Sequence, residues 1–397
     1  MGEQTLQSIH GEIRSERMSI GAEKIRFPNL NALRFFAALA VVLFHMEHKK
    51  YVFGLPSLWG RLYWISTIGY HAVTFFFVLS GFLITYLLLK ERDVFSRISV
   101  FRFYGRRALR IMPVYFVTLA VAFFVLPPFT MFAIPGQTEA LKQHFWPALA
   151  LCVSFLSNAA FALFGNLACV DQTWSVSSEE QFYLLWPLVI GFLPRKWIAP
   201  FLVSAIVALG AIRYRYGNYS SVGGMLLMLN RFGCMSIGAL GAIIVMDKPR
   251  RMLAVITSPI TFGLTMLLTV AVLSLEIFPQ RLTAIQPECY SILFCILIVN
   301  FAVGSSVKAP LDGHYFRLAG DCSYSAYMYH NFFVALGCNM LVRLGYKEAP
   351  PTIAHVNLML YPFVLCMAFL TSYLSFVLME RPILRFKSRF SPIQSSS

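Results

Sequence analysis

The chain has 397 residues, 58% of them hydrophobic and 13% charged, with a formal net charge of +15. Its mean hydropathy of +0.66 lies outside the balance of a soluble globular protein, and its apolar residues gather in stretches of about 17 to 25, the length that carries a helix across a hydrocarbon core. These totals exclude a soluble domain and a β-barrel of weakly alternating strands; with no soluble basic domain to hold a duplex, the positive charge implies no nucleic acid.

Residues 1–28 are polar and basic, with Arg14, Arg17, Lys24 and Arg26, and read as a cytoplasmic tail. They are not a secretory signal, because the first apolar run contains Arg34 and is followed by charged residues instead of a small-residue cleavage site. That run, Leu30 to Met46, carries Arg34 and His45 eleven positions apart. At about 100° per residue this spacing returns both to one helical face, roughly 16 Å apart along the axis. Ionisable groups inside a span face a bundle interior or a watery passage; the competing reading is that Arg34 snorkels and His45 is wetted at the far interface.

A second span is expected over Ala72 to Leu89, and Lys90 to Arg110 then holds seven Lys/Arg residues. This is the strongest topology signal in the chain and places both that loop and the amino terminus in the cytoplasm. Further apolar stretches follow at Ile111 to Phe129, Phe145 to Phe164, Trp174 to Leu193, Ile198 to Ile212, Met225 to Met246 and Met252 to Phe278. Three more close the series, at Ala284 to Val303, Phe316 to Val342 and Thr352 to Met379. The carboxy-terminal Arg381, Arg385, Lys387 and Arg389 also read as cytoplasmic, so the number of crossings is even. The expectation is an all-α polytopic membrane protein of about ten transmembrane helices, with Phe145 to Phe164 re-entrant or flat. It divides into a tail at 1–28, a membrane domain at 29–384 and a second tail at 385–397. Most of the eight cysteines fall singly in apolar runs and read as small buried hydrophobes.

Four stretches carry candidate chemistry. Beyond the Arg34/His45 face, Arg106 and Arg110 share a helix face with Arg107 beside them, which suits either a topology anchor or paired binding of phosphate. In Trp174-Ser175-Val-Ser177-Ser-Glu179-Glu180, the Ser177/Glu180 spacing fits a capping box at a helix start; alternatively, Glu180 orients or tunes a catalytic histidine. Ser323-Tyr324-x-x-Tyr327-x-x-His330 offers hydroxyls, phenols and an imidazole, either for a sugar or for an interfacial aromatic belt. His45-x-Glu47-His48 has no third ligand at metal spacing, so no metal is assigned.

With these stretches in view the sequence closely resembles the acyltransferase 3 family of integral membrane O-acyltransferases. The resemblance rests on Leu33-Arg34-Phe-Phe-Ala-Ala-Leu-Ala-Val-Val-Leu-Phe-His45, Phe77-Val-Leu-Ser80-Gly81-Phe-Leu-Ile and Arg106-Arg107-x-x-Arg110-Ile-x-Pro113-x-Tyr115. It continues through Trp174-Ser175-Val-Ser-x-Glu179-Glu180-Gln-Phe-Tyr183-Leu-Leu-Trp186-Pro187, Ser323-Tyr324-x-x-Tyr327-x-x-His330 and Glu380-Arg381-Pro382. It implies ten helices and the transfer of an acyl group, usually acetyl, from acyl-CoA on the cytoplasmic side to a hydroxyl of a sugar or glycoconjugate. The setting it implies is a bacterial inner membrane, with no metal. On that reading His45 and Glu180 are catalytic, Arg34, Arg106, Arg107 and Arg110 hold the CoA phosphates, and Trp174, Ser175, Tyr327 and His330 bind the acceptor. The chain stops soon after the membrane part, without the extracytoplasmic hydrolase-like domain of some longer family members, so a two-stage relay to large polymers is not expected. Polar spans, basic inner loops and an aromatic mouth also suit a transporter or flippase of a lipid-linked glycan; only the transferase needs a thioester.

Overall fold

The computed structural model describes residues 27, 29–275, 278, 282–303, 311, 313–347 and 352–390. The tail at 1–28 therefore lies outside the described residues except for Phe27, and of the tail at 385–397 only 385–390 are described. Every regular element among them is helical. The helices are α1 (Leu30–Phe53), α2 (Tyr63–Phe95), α3 (Val100–Ala120), three short pieces α4 (Gln137–Gln143), α5 (Phe145–Val153) and α6 (Ser157–Phe164), then α7 (Thr173–Phe192) and α8 (Arg195–Tyr216). They continue as α9 (Val222–Leu229), α10 (Phe232–Asp247), α11 (Arg250–Ile256), α12 (Pro259–Ser274), α13 (Gln286–Val303), α14 (His314–Arg343), α15 (Ile353–Ser375) and α16 (Arg381–Leu384). Wide π-type turns extend α3 over Val121–Val125 and join α15 to α16 over Phe376–Glu380.

Among the described residues seven helices are long and apolar enough to cross a membrane, or eight if α11 and α12, bent by 49° at their junction, form one broken span. The expected number of about ten is somewhat higher, and the difference lies in α7 and α14. At 20 and 30 residues they have the length, but Ser175, Ser177, Glu179 and Glu180 on one, and Asp321, His330 and Asn331 on the other, make them too polar to qualify by hydropathy. Those polar residues face the bundle interior, where the site is built.

The stretch at 145–164 does not form one span. It breaks into α5 and α6 at Ser154 to Leu156, where Phe155 takes a left-handed φ of 55°. The break is pinned from two sides: the Tyr115 hydroxyl donates to the Cys152 carbonyl at 2.7 Å and meets Ser157 Oγ at 2.8 Å, and the Ser157 amide donates to Ser177 Oγ at 3.0 Å. This also corrects the capping-box expectation. α7 begins at Thr173, so Ser177 and Glu180 lie inside the helix, and Ser177 serves its neighbour instead of its own amides.

Two pairings fix the geometry around the site. α1 and α14 run parallel, since a Cβ on Gly320 would lie 2.6 Å from Asn31 Cβ near their starts and His45 meets His330 farther along. α2 and α10 approach through glycine: a Cβ on Gly81 would lie 2.0 Å from the Met235 carbonyl oxygen, and one on Gly238 2.0 Å from that of Val78. Small residues at such contacts let membrane helices gain van der Waals packing that lipid cannot supply. α7 lies beside α2 in register, tied by Ser80 to Tyr183 (2.5 Å), Trp186 to Thr85 (2.8 Å), and Arg92 to the carbonyls of Ile190 and Leu193 (2.7 and 2.8 Å). Arg92 thus satisfies carbonyls that the end of α7, before Pro194, leaves open.

Candidate active site

A cavity of about 200 Å³ is enclosed by α1, α2, α3, α7 and α14. Arg34 from α1 and Arg106, Arg107 and Arg110 from α3 line it, together with Ser80, Glu179, Tyr183, Ser323 and Tyr324. At its other end stand Val73, Phe76, Ser175 and Tyr327. The four arginines are not equivalent. Arg106 is held by Glu91 Oε2 at 3.0 Å and by the Phe390 carbonyl at 2.7 Å. Arg107 lies over the rings of Phe103 and Tyr183, 5.7 and 5.4 Å from their centroids. Arg34 donates to Asn31 Oδ1 at 3.3 Å. Among the described residues no ion pair within 4 Å joins Arg34, Arg107 or Arg110 to a carboxylate, although Glu179 lines the same cavity.

Ser175 and Tyr327, expected to hold the acceptor, close this cavity instead. The Tyr327 hydroxyl meets Ser175 Oγ at 2.6 Å and donates to the Gln172 carbonyl at 3.0 Å. One turn farther along α14, His330 lies with its ring centroid 6.0 Å from that of Tyr327 and 4.8 Å from that of His45. Neither imidazole lines the arginine cavity. Trp174 packs on Phe77, 6.0 Å between centroids, at the same closed end.

Hydrogen bonds assign the tautomers of the imidazole pair. His330 Nδ1 lies 2.6 Å from the Tyr327 carbonyl oxygen, which can only accept, so this nitrogen carries the proton. With that proton on Nδ1 and the ring fully buried, the neutral form of His330 offers Nε2 as an acceptor. That acceptor faces His45 Nδ1 at 3.1 Å, and the Val41 carbonyl lies 3.0 Å from the same nitrogen. With two acceptors around it, His45 Nδ1 is protonated and Nε2 is the basic nitrogen. Half-buried His45 is thus presented as a proton acceptor, its ring fixed by a second histidine.

That orienting role was expected of Glu180. Among the described residues no hydrogen bond joins Glu180 to His45, and Glu180 Oε1 is buried without a hydrogen-bond partner. Its neighbour Glu179 accepts from the Tyr183 hydroxyl at 3.1 Å and faces the arginine cavity. Glu47, from the His-x-Glu-His pattern, is taken up by Lys50 at 2.6 Å, by Ser57 Oγ at 2.8 Å and by Tyr361.

Beyond the imidazoles lies a buried polar network that the sequence reading did not pick out. Lys49 Nζ donates to Asp171 Oδ2 and Gln137 Oε1, each at 2.7 Å, and Asn331 Nδ2 donates to Asp171 Oδ1 at 2.7 Å and Gln172 Oε1 at 2.8 Å. The available signal was positional: Lys49 is one turn past His45, Asn331 follows His330, and Asp171 opens the Trp174 motif.

The class these features define is a helical membrane protein with a guanidinium-lined internal cavity and a hydrogen-bonded imidazole pair beyond its closed end. Residues 27–379 match the acyltransferase domain family known as acyltransferase 3, and the chain belongs to that family. The chain is similar to the O-acetyltransferase OatA of Staphylococcus aureus, 31% identical over 208 residues, which are 49% of this chain and 31% of that protein. Acyltransferase MdmB of Streptomyces mycarofaciens is 24% identical over 389 residues, 94% of this chain and 95% of its own. The peptidoglycan O-acetyltransferase OatA of Listeria monocytogenes is 28% identical over 196 residues, 47% of this chain and 28% of that protein. The chain therefore spans about a third of the length of the OatA proteins it matches. No solved structure matches the chain.

Proposed function

We propose that this protein is an integral membrane O-acyltransferase that moves an acetyl group from acetyl-CoA, or a related acyl-CoA, to a hydroxyl of a sugar or glycoconjugate. The observation that carries the proposal is the alignment of parts along α1: Arg34 at one end, with Arg107 and Arg110 of α3 lining the same cavity, and the basic Nε2 of His45 about 16 Å along the helix. Guanidinium forks suit the phosphates of CoA. A thioester is already activated, so the site has only to bring the two substrates together and manage one proton.

In the direct route His45 Nε2 removes the proton of the acceptor hydroxyl as the oxygen attacks the thioester carbonyl. The collapsing intermediate then breaks the C–S bond, and the imidazolium returns the proton to the departing thiolate. His330 and the Val41 carbonyl keep Nε2 the basic nitrogen throughout. In the alternative, Nε2 attacks the thioester carbonyl and the C–S bond breaks to release CoA thiolate; the acceptor hydroxyl then attacks the acetyl-imidazolium, the C–N bond breaks and the freed Nε2 takes the hydroxyl proton. Trapping acetyl-His45 with no acceptor present identifies the second route.

The seven basic residues between Lys90 and Arg110 support placing the arginine end in the cytosol and the His45 end toward the outer face of a bacterial inner membrane, with both termini cytoplasmic. The test is release of free CoA thiol by the purified protein supplied with acetyl-CoA and a sugar mixture. Wild-type protein is expected to release thiol, and His45→Ala to lose at least about a hundredfold in rate while remaining in the membrane fraction. Wild-type turnover by His45→Ala would remove this histidine from the chemistry.

A further inference from the structure

Arg213 and Arg231 both stand at the break between α9 and α10, and among the described residues only Arg213 is satisfied. Arg213 Nη1 reaches both oxygens of Glu288, at 2.6 and 2.7 Å, while its other nitrogens donate to the carbonyls of Leu227 and Asn230. Arg231, immediately before α10, is 7% exposed. Among the described residues no hydrogen bond or ion pair reaches its guanidinium, and Nη1 is fully enclosed without a partner. A buried cation that no anion among the described residues meets is strongly unfavourable in a membrane bundle, and such a position suits an anion arriving from outside.

A second orphan points the same way. His71 of α2, 6% exposed, has an enclosed Nε2 with no partner, and its ring is backed by Tyr290 at 4.5 Å. Arg231 and His71 stand at one level because α10 and α2 both pack on α13 there: a Cβ on Gly233 would lie 2.5 Å from Glu288 Oε1, and His71 meets Tyr290. Of the opening amides of α10 that of Phe232 is taken by Asn230 Oδ1 at 3.1 Å, and the others add positive potential at the same spot. Tyr70 is exposed and packs on Phe44, which in turn touches His45, each contact 5.1 Å between centroids. Tyr70, next to His71 in the chain, thus stands two ring contacts from the basic imidazole, and neither orphan lines the arginine cavity.

We infer that Arg231 and His71 form a receptor for an anionic group, a carboxylate or phosphate, carried by the acceptor. This rests on the transferase reading and narrows it: the hydroxyl that is acylated belongs to an acidic molecule, whose charge on Arg231 holds that hydroxyl near His45 Nε2.

The test uses the full-length protein in phosphatidylcholine nanodiscs, with glucuronate, its uncharged methyl ester and inorganic phosphate as probes. Without a probe, Arg231→Met is expected to melt above wild type, because an uncompensated buried charge is gone. Glucuronate or phosphate, but not the ester, raises the wild-type midpoint, and Arg231→Met does not respond. Arg231→Lys keeps the charge without the fork and responds in part. A lower midpoint for Arg231→Met makes the arginine structural and overturns the inference, as does a wild type indifferent to both anions. A rise on exchanging phosphatidylcholine for phosphatidylglycerol, with both probes silent, gives the site to a lipid headgroup and also overturns it. Thiol release from acetyl-CoA is read on the same samples. A protein that responds to glucuronate but releases no thiol whatever acceptor is supplied keeps the anion site and loses the transferase reading, whereas one that releases thiol without responding loses the anion site alone.

Discussion

Lys49 and Asp171 offer a measurement that needs no substrate. Their side chains are 0% and 5% exposed and meet at 2.7 Å, a separation at which opposite charges attract by about 6 kcal/mol at an effective dielectric constant near 20. Removing both charges from water offsets most of that gain, but removing one partner leaves the other uncompensated, at a cost of about 3–5 kcal/mol. Asp171→Ala and Lys49→Met are therefore each expected to lower the melting midpoint in detergent by on the order of 10 °C. The double variant Lys49→Met/Asp171→Leu, which leaves no lone charge, should recover most of the loss. Asp171→Asn keeps an oxygen for Asn331 but not the charge, so its deficit isolates the ion pair. Fluorescence-detected size exclusion after a heating series supplies the midpoints. Single variants within about 2 °C of wild type, or a double variant as unstable as the sum of the singles, would refute the account.

The arginines should separate in titrations of acetyl-CoA against initial rate: Arg107→Gln and Arg110→Gln each raise KM about tenfold. Arg106→Gln mainly lowers the melting midpoint, because it strands Glu91, which is 3% exposed; an equal KM effect for all three would contradict the assignment. His330→Phe removes one of the two acceptors at His45 Nδ1 and leaves Val41, so kcat is expected to fall about tenfold, far less than for His45→Ala. Equal losses would show that His330 does more than orient. Gly81→Leu forces a side chain into the Met235 carbonyl and should abolish the monodisperse peak on size exclusion; a folded, active variant would mean that α2 and α10 can separate.

What the sequence made legible was local. Helical spacing placed Arg34 and His45 on one face, and the basic run marked α3, because both follow from the period of a single helix. The failures involve partners far apart in the chain. Glu91 takes Arg106 from fifteen positions away, and His330 reaches His45 across 285, so the orienting role expected of Glu180 is one for which His330 has the geometry. Ser177 and Glu180 have the spacing of a cap, yet Thr173 and its neighbours also join the helix, and tertiary bonds decide where it starts. Lys49 sat in a charged run that resembled an interface, and only the bundle shows it buried. Arg231 carried no signal, since an orphaned donor is defined by everything that fails to meet it.

The polarity of α14 bears on how the chain is built. On its own this helix does not favour oil over water strongly enough to be retained as it leaves the ribosome, and its shelter against α1 is made by a segment synthesised some 280 residues earlier. Commitment of α14 to the bilayer must therefore wait for a template already in place. A reporter carrying α14 alone should pass through the translocation channel, and one supplied with α1 and α2 should hold it; equal retention in both would show that assembly proceeds segment by segment.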